Sequence, residues 1–160
     1  MTSTLALDSI LSISVETDTV LSRGSGVVLP SGLYALSVAH LFSNYQMGDS
    51  VEITSADGQL FEFEQVTVHH DWRDSNTDLN YDIAVIKLIS PASVEGIYIW
   101  PGGDYQHEVF TLAGISSNGD LNTGTNVFDV DGSAFNDTHN FDNIVGTQLL
   151  YDFDNGLDAQ

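Results

Sequence analysis

The hydrophobic pattern of this chain has a period of two and comes in short runs that end at turn residues. The first run, residues 10–16, reads ILSISVE and alternates apolar with polar side chains, as a strand with one buried face does. Apolar residues do not recur at the 3.6-residue spacing of a long helix. The strand segments predicted in the first part of the chain are 10–16, 24–32, 33–38, 50–54, 60–70 and 81–90. The sequence therefore predicts an all-β, antiparallel fold.

Tight turns are expected where small or polar residues interrupt these runs. Segment 24–32 ends in Pro30-Ser31-Gly32, which predicts a hairpin with the strand that follows. Asp57-Gly58 predicts a second hairpin. Segment 81–90 is the most apolar strand of the chain, and we expect it to lie in the middle of a sheet.

The orientation of segment 60–70 is ambiguous. Strict alternation places Phe61 and Phe63 on the same face as Gln65 and Thr67, so neither face is purely apolar. The pattern predicts a strand here without indicating which face is buried.

Beyond residue 90 the rhythm of the chain changes. Residues 91–106 contain two of the three prolines and read as a connector, after which strand-like segments resume at 108–115, 125–132 and 143–153. We therefore expect a six-stranded barrel in residues 1–90, a connector in 91–106, and the first strands of a second barrel in 107–160.

The charge of the chain restricts its partners. It carries 23 acidic and three basic residues, for a formal net charge of −20. This surface repels phosphate backbones and anionic lipid, so we expect no nucleic-acid and no membrane partner. Adaptation to saline or extracellular conditions explains the charge, and a calcium ion or cationic partner is the alternative. Because the chain has no cysteine, disulfides and zinc–thiolate sites are excluded.

A histidine and an aspartate are the two side chains of the first 90 residues best suited to carry chemistry. His40 follows a predicted strand and the small residues Val38 and Ala39, which allow a tight helical turn. Asp82 lies at the start of the apolar strand 81–90. An aspartate beside a histidine holds the imidazole in one tautomer and stabilises its protonated form, which is half of a nucleophilic catalyst. Their spacing alone does not show that the two residues meet.

Three other segments carry side chains of the kinds that bind metal ions. His69-His70-Asp71 carries ligand-type side chains, but adjacent residues on a strand point to opposite faces, so we expect the rings to diverge and no metal to bind. Residues 152–158 resemble a calcium loop, yet Gly156 falls one place early for the template and no helical pattern flanks the loop. Residues 129–132 fit the template less well. Calcium at a surface loop remains an alternative.

Two longer segments resemble a known family. The segment 24–42, GSGVVLPSGLYALSVAHLF, resembles the part of trypsin-like (chymotrypsin-family) serine endopeptidases that leads to the catalytic histidine. The segment 68–88, VHHDWRDSNTDLNYDIAVIKL, resembles the part that holds the aspartate. The segment 110–130 is similar to the strand that enters the second barrel, especially in bacterial members. The resemblance covers roughly residues 10–155.

The resemblance implies a trypsin-like double β-barrel whose second barrel is incomplete in this chain. It implies that His40 is a general base and Asp82 its orienting carboxylate, with a protein or peptide as substrate and no cofactor. We also expect a secreted, extracellular or periplasmic protein, although no signal peptide is visible.

The chain departs from the family in ways that bear on activity. Leu41 occupies the position where the family usually has a cysteine. The family's Gly-Asp-Ser-Gly-Gly-Pro nucleophile segment is missing, and Ser133 comes too early and lacks the following glycine. Ser133, Ser116 and Ser117 read as turn residues. We therefore expect the nucleophilic serine to lie outside these residues and the chain alone to be inactive.

Two alternatives to an enzyme remain open. One is a catalytically inactive, truncated module that acts in binding, and the other is a calcium-binding acidic β-module. An unclosed second barrel would expose the strand edge at 144–153, so we also expect pairing with a complementary C-terminal fragment or self-association.

Overall fold

The structure is a computed structural model that describes residues 7–74, 80–99, 107–116, 118, 120–139 and 149–150. Its main element is an antiparallel six-stranded sheet with the strand order β4-β1-β2-β3-β6-β5. The strands are β1 (Ile10–Glu16), β2 (Leu21–Val28), β3 (Tyr34–Ser37), β4 (Ser50–Ser55), β5 (Phe63–Val68) and β6 (Ala84–Leu88). The predicted antiparallel, all-β class is confirmed for this part, and β6 has neighbours on both sides as expected.

The outer strand β4 is bridged to the residues that lead into β5, at the other side of the sheet. Thr54 at the end of β4 forms a bridge with Leu60, and the Phe61 amide donates to the Ile53 carbonyl at 2.8 Å. The predicted Asp57-Gly58 turn makes this connection, with Gly58 at a φ of 86°. These contacts cover part of the β4 edge that would otherwise be open.

Hydrogen bonds at this turn also stabilise a charge. The Ser55 hydroxyl donates to the Asp57 carboxylate, and the backbone amide of Gln59 donates to the same side chain. These bonds hold the pKa of Asp57 below its usual range, because they favour the ionised carboxylate. The turn therefore prefers the charged form of Asp57 at neutral pH.

The inner face of the sheet forms the hydrophobic core. In β1 the side chains of Leu11, Ile13 and Val15 are fully buried, as the period-two pattern predicts. They pack with Ile53 of β4 and Ile86 of β6. The most apolar stretch of the sequence and the alternating first stretch therefore share one core.

A β-bulge resolves the ambiguous face of segment 60–70. Phe63 pairs with Leu88 and Gln65 pairs with Lys87, so one extra residue lies in β5 between the two pairs. As a result Phe63 before the bulge and Val66 after it both pack against the core, while Gln65 is exposed. The strict alternation predicted for this segment is wrong, because the extra residue reverses which side chains face inward.

The bulge also brings opposite charges together at the surface. The Lys87 ammonium lies 2.6 Å from the Glu64 carboxylate. This hydrogen-bonded contact raises the pKa of Lys87, because Glu64 favours the charged ammonium.

The segment that follows the sheet packs against the β2–β3 hairpin. The Pro30-Ser31-Gly32 turn is present as predicted, with Gly32 at a φ of 71°. The Ala92 amide donates to the Gly32 carbonyl at 2.9 Å, and the Ile97 amide donates to the Val28 carbonyl at 2.8 Å. The start of the predicted connector is therefore hydrogen-bonded to the sheet, while the domain boundaries at 90 and 106 remain predictions.

Replacing Gly96 with alanine should destabilise the protein by about 1–3 kcal/mol, the usual cost of overpacking. A methyl group at Gly96 would lie 2.2 Å from the backbone carbonyl oxygen of Leu29, and backbone cannot move aside as a side chain can. Urea denaturation followed by circular dichroism measures the loss. Gly124→Ala is the matched control, because nothing lies within 4 Å of a methyl group there. Equal midpoints for the two variants would contradict the close approach.

The later part of the chain has shorter elements. A two-stranded sheet pairs β7 (Val109–Ile115) with β8 (Leu121–Val127), and a second pairs β9 (Val130–Asp131) with β10 (Leu149–Leu150). The rings of Phe110 and Phe128 stack at 4.1 Å beside the first pair. Residues 113–122 belong to the same compact unit as the six-stranded sheet, and the flanking parts of β7 and β8 belong to a second unit.

The strand predicted at 125–132 is wrong in its bounds. β8 begins earlier, at Leu121, and β9 ends at Asp131, where a 3₁₀ turn (Gly132–Phe135) begins. The Asp131 carboxylate accepts the Ser133 amide at 2.9 Å and so caps this turn. A single α-helical turn, α1 (Asn136–His139), follows. Among the described residues, no helix has the length and apolar character needed to span a bilayer.

Candidate active site

His40 is presented by a short 3₁₀ turn (Ala39–Phe42) that follows β3. Three of the four residues in this turn, Ala39, Leu41 and Phe42, are buried, which anchors the turn to the core. Both the amide and the hydroxyl of Ser43 donate to the His40 carbonyl, at 3.3 and 2.7 Å. The imidazole of His40 is therefore the one exposed side chain of the turn, and the backbone that carries it is held by the buried neighbours and by Ser43.

Asp82 lies at the centre of a three-residue turn just before β6. The Ile83 amide donates to the Tyr81 carbonyl at 2.7 Å, which closes a turn with Asp82 at its apex. Tyr81 has a φ of 61°, in the left-handed region. This conformation costs a non-glycine residue about 1–2 kcal/mol, so neighbouring contacts must hold it. The His69 amide, which donates to the Ile83 carbonyl at 2.9 Å, supplies one of them.

The structure brings His40 and Asp82 into direct contact. The His40 amide donates to one carboxylate oxygen of Asp82 at 2.8 Å, and the ring atom Nδ1 lies 2.7 Å from the other. Both oxygens of the carboxylate thus bind a single residue, one through its backbone and one through its ring. This double contact restricts both the position and the rotation of the carboxylate.

The contact also decides which ring nitrogen can act as a base. An ionised carboxylate only accepts hydrogen bonds, so Nδ1 must carry the proton and donate it to Asp82. In the neutral ring Nε2 is then the unprotonated nitrogen. The His40 side chain is 63% exposed and that of Asp82 29%, so the ring is open to a reactant while the carboxylate is half-buried. Within the described part of the chain, no side chain hydrogen-bonds Nε2.

The serines considered from the sequence have structural partners. The Ser133 amide donates to the Asp131 carboxylate, which caps the 3₁₀ turn that contains Ser133. The Ser116 hydroxyl donates to the Asp120 carbonyl at 3.0 Å and also contacts the Asn118 side chain. Ser117 lies outside the described residues. Ser116 and Ser133 therefore fit the predicted role of turn residues.

The rings of His69 and His70 do not diverge, which corrects the reason given for excluding a metal. They stack with their centroids 4.7 Å apart and their planes 23° apart. β5 ends at Val68, so the strand alternation on which the expectation rested no longer applies to them. The ligand-type atoms of His69, His70 and Asp71 all lie within 4.8 Å of one another.

Other contacts in this cluster compete with metal coordination. His69 Nδ1 accepts the Asp71 amide at 3.2 Å, which places the proton of a neutral His69 ring on Nε2. The His70 Nε2 atom lies 3.0 Å from the Asp71 carboxylate. The expectation that no metal binds here remains a prediction, now on these grounds.

Tyr81 is a residue of the site that the sequence analysis did not identify. Its ring stacks on that of His69, with centroids 4.8 Å apart and planes within 9°. Hydrophobic periodicity carries no signal for a left-handed tyrosine, and only its position before Asp82 marks it. The segment 152–158, compared above with a calcium loop, lies outside the described residues.

Comparison with known proteins gives one family match. The sequence model of a family described as Trypsin matches residues 8–98, which include both His40 and Asp82.

Solved structures with a similar fold are serine proteases. A serine endoprotease from Yersinia pestis superposes with a TM-score of 0.61 at 16% identity, over 80% of this chain and 43% of its own. Mouse neuropsin, a serine protease expressed in the limbic system of the brain, gives 0.68 at 17% identity, over 96% and 73%. Kallikrein-related peptidase 10, in complex with Zn²⁺, gives 0.58 at 17% identity, over 78% and 59%. The chain thus spans less than two thirds of the first and third of these proteins.

Proposed function

The chain belongs to the trypsin family, and from this premise we propose that it is part of a serine endopeptidase in which His40 is the general base and Asp82 orients it. Its fold is the trypsin-like all-β fold, with a six-stranded antiparallel sheet and the strands of an incomplete second barrel. Leu41, at the usual cysteine position, is buried and reaches within 3.3 Å of where a β-carbon would lie on Gly24. Packing thus anchors the histidine turn where relatives use a disulfide.

The observation that carries the proposal is the paired contact of Asp82 with His40, which leaves Nε2 unprotonated and accessible. In the reaction, Nε2 removes the proton from a serine hydroxyl as its oxygen attacks the peptide carbonyl. The resulting imidazolium is stabilised by Asp82, which stays ionised. His40 then gives the proton to the leaving amine as the peptide C–N bond breaks. A water molecule, activated in the same way, releases the acyl group from the serine.

The nucleophile in this proposal is a serine outside the 160 residues. The sequence supports this location, because no Gly-Asp-Ser-Gly-Gly-Pro segment occurs among the 160 residues. The capping contact of the Ser133 amide gives that residue a structural role instead. We accordingly expect the 160-residue chain alone to be inactive, and the serine to lie on the same polypeptide or on a complementary fragment.

The substrate class and location follow from the same premise. We propose a protein or peptide substrate and a secreted, extracellular or periplasmic enzyme, for which the net charge of −20 gives solubility in salt. Nucleic acid and membrane are not proposed as partners. A binding module without catalysis is the alternative that the experiment below distinguishes from the peptidase.

Labelling with a fluorophosphonate, which modifies only activated serines, tests the proposal. The probe should label the protein purified from the organism that encodes it, and peptide mapping should place the label on a serine outside residues 1–160. Mapping also decides between one longer polypeptide and a complementary fragment. Labelling is expected because phosphonylation requires a serine made nucleophilic by a base such as His40.

The control for this experiment is His40→Ala, expressed in the same host, which should lose the label. Absence of labelling in the natural protein would favour the binding module over the peptidase. A label on Ser133 or another serine of this chain would overturn the proposed location of the nucleophile.

A further inference from the structure

Three aromatic rings form a continuous stack beside Asp82. The His69 ring stacks with both of the others, and its centroid lies 4.7 Å from that of His70 and 4.8 Å from that of Tyr81. The His70 ring is itself held by the carboxylate of Asp71 at 3.0 Å. We call His69, His70 and Tyr81 the ring stack.

The ring stack is connected to Asp82 through the backbone on both sides. Tyr81 precedes Asp82 directly, and its carbonyl accepts the amide of Ile83, which follows Asp82. The Ile83 carbonyl accepts the amide of His69. His69 therefore contacts both ends of the turn, through its ring at Tyr81 and through its amide at Ile83.

Because Tyr81 has a left-handed conformation, the stacking of its ring on His69 affects the position of Asp82. A tyrosine with a φ of 61° would relax toward negative φ if nothing held its ring. A change of φ in Tyr81, the residue just before Asp82, would turn the carboxylate away from His40. The 2.7 Å distance between Nδ1 and the carboxylate oxygen leaves little tolerance for this movement.

We propose that His69 and Tyr81 are positioning residues, which hold the Asp82 turn through the ring stack so that its carboxylate fixes the tautomer of His40. The proposal rests on the proposed function, in which that tautomer matters. His69 and Tyr81 act only through Asp82, since the contacts that place the carboxylate on His40 are made by Asp82 itself.

The tautomer of His40 can be measured directly in the 160-residue chain by two-bond ¹H–¹⁵N correlation NMR, which distinguishes protonated Nδ1 from protonated Nε2. The wild-type chain should show the Nδ1–H form, and Asp82→Asn should shift it to the Nε2–H form. His69→Ala should shift the population from Nδ1–H toward Nε2–H. His69→Phe and Tyr81→Phe keep the stacked rings and should retain the wild-type tautomer.

His107→Ala is the matched control, since it also removes one of the five histidines and should leave the His40 signal unchanged. Loss of fold would broaden or shift signals across the whole spectrum, whereas loss of positioning changes the tautomer of His40 in an otherwise native spectrum. If His69→Ala does unfold the chain, Tyr81→Leu tests the same contact from the other ring, with the same expected shift.

These experiments distinguish the positioning role from the His40–Asp82 pair and from the peptidase activity. A wild-type tautomer in both His69→Ala and Tyr81→Leu, with Asp82→Asn shifted, would overturn the positioning role and leave the His40–Asp82 pair intact. An unchanged tautomer in Asp82→Asn would overturn the pair itself and the positioning role with it. Failure of fluorophosphonate labelling would overturn the peptidase alone.

Discussion

Replacing Asp82 with asparagine should lower the kcat of the proposed peptidase by about 10⁴-fold, the size of loss known for this substitution in trypsin-like triads. The asparagine oxygen can still accept the His40 amide, which Asp82 now binds at 2.8 Å. The asparagine NH₂ group then faces Nδ1 as a donor, so the ring must place its proton on Nε2. A protonated Nε2 cannot remove the serine proton, and the base is lost while the fold is kept.

Steady-state hydrolysis of a peptide by the natural, full protein measures this loss. Asp57→Asn is the matched control, because it makes the same chemical change on a carboxylate that binds Ser55 and Gln59 instead of a histidine. The control should keep wild-type kcat. If Asp82→Asn also retained it, Asp82 would not orient the base.

Replacing Ile13 with alanine lowers the free energy of unfolding by about 2–5 kcal/mol, a large part of the stability of an ordinary domain. Ile13 is fully buried in β1 and pairs with Gly24 on one side and Ile53 on the other. Its Cδ1 atom lies 2.7 Å from where a β-carbon would stand on Gly26, so it fills the space that this glycine leaves. Truncation therefore opens a cavity that the surrounding strands cannot close.

Urea denaturation of the 160-residue chain checks this second result. The control is Ile89→Ala, since Ile89 is 57% exposed and its truncation should cost within about 0.5 kcal/mol. Comparable losses for the two variants would contradict the assignment of Ile13 to the core.

Much of the first barrel was predictable, because its information is local. Alternation in residues 10–16 and the turns at Pro30-Ser31-Gly32 and Asp57-Gly58 predict strands and hairpins that the structure contains. The bulge in β5 was not predictable in this way. An extra residue of that kind is set by pairing with β6, a strand about 20 residues further along the chain.

The strand bounds in the later part of the chain were less predictable for a similar reason. Segment 125–132 has the composition of a strand throughout. The side chain of Asp131 nevertheless ends it, by capping the 3₁₀ turn through the Ser133 amide. A short polar side chain can extend a strand or cap a turn, and composition does not distinguish the two.

At the candidate site, the residue types were predictable from the sequence: a histidine after a strand, an aspartate before another, and no nucleophile segment among the 160 residues. Only the folded structure shows that these two side chains meet, although they lie 42 positions apart in the chain, and that both carboxylate oxygens are engaged. It also decided that His69 and His70 stack and that Tyr81 adopts a left-handed conformation beside Asp82. This division arises because the residue type sets which hydrogen bonds a side chain can donate or accept. Which group becomes the partner of that side chain depends on strand pairing, which joins distant parts of the chain.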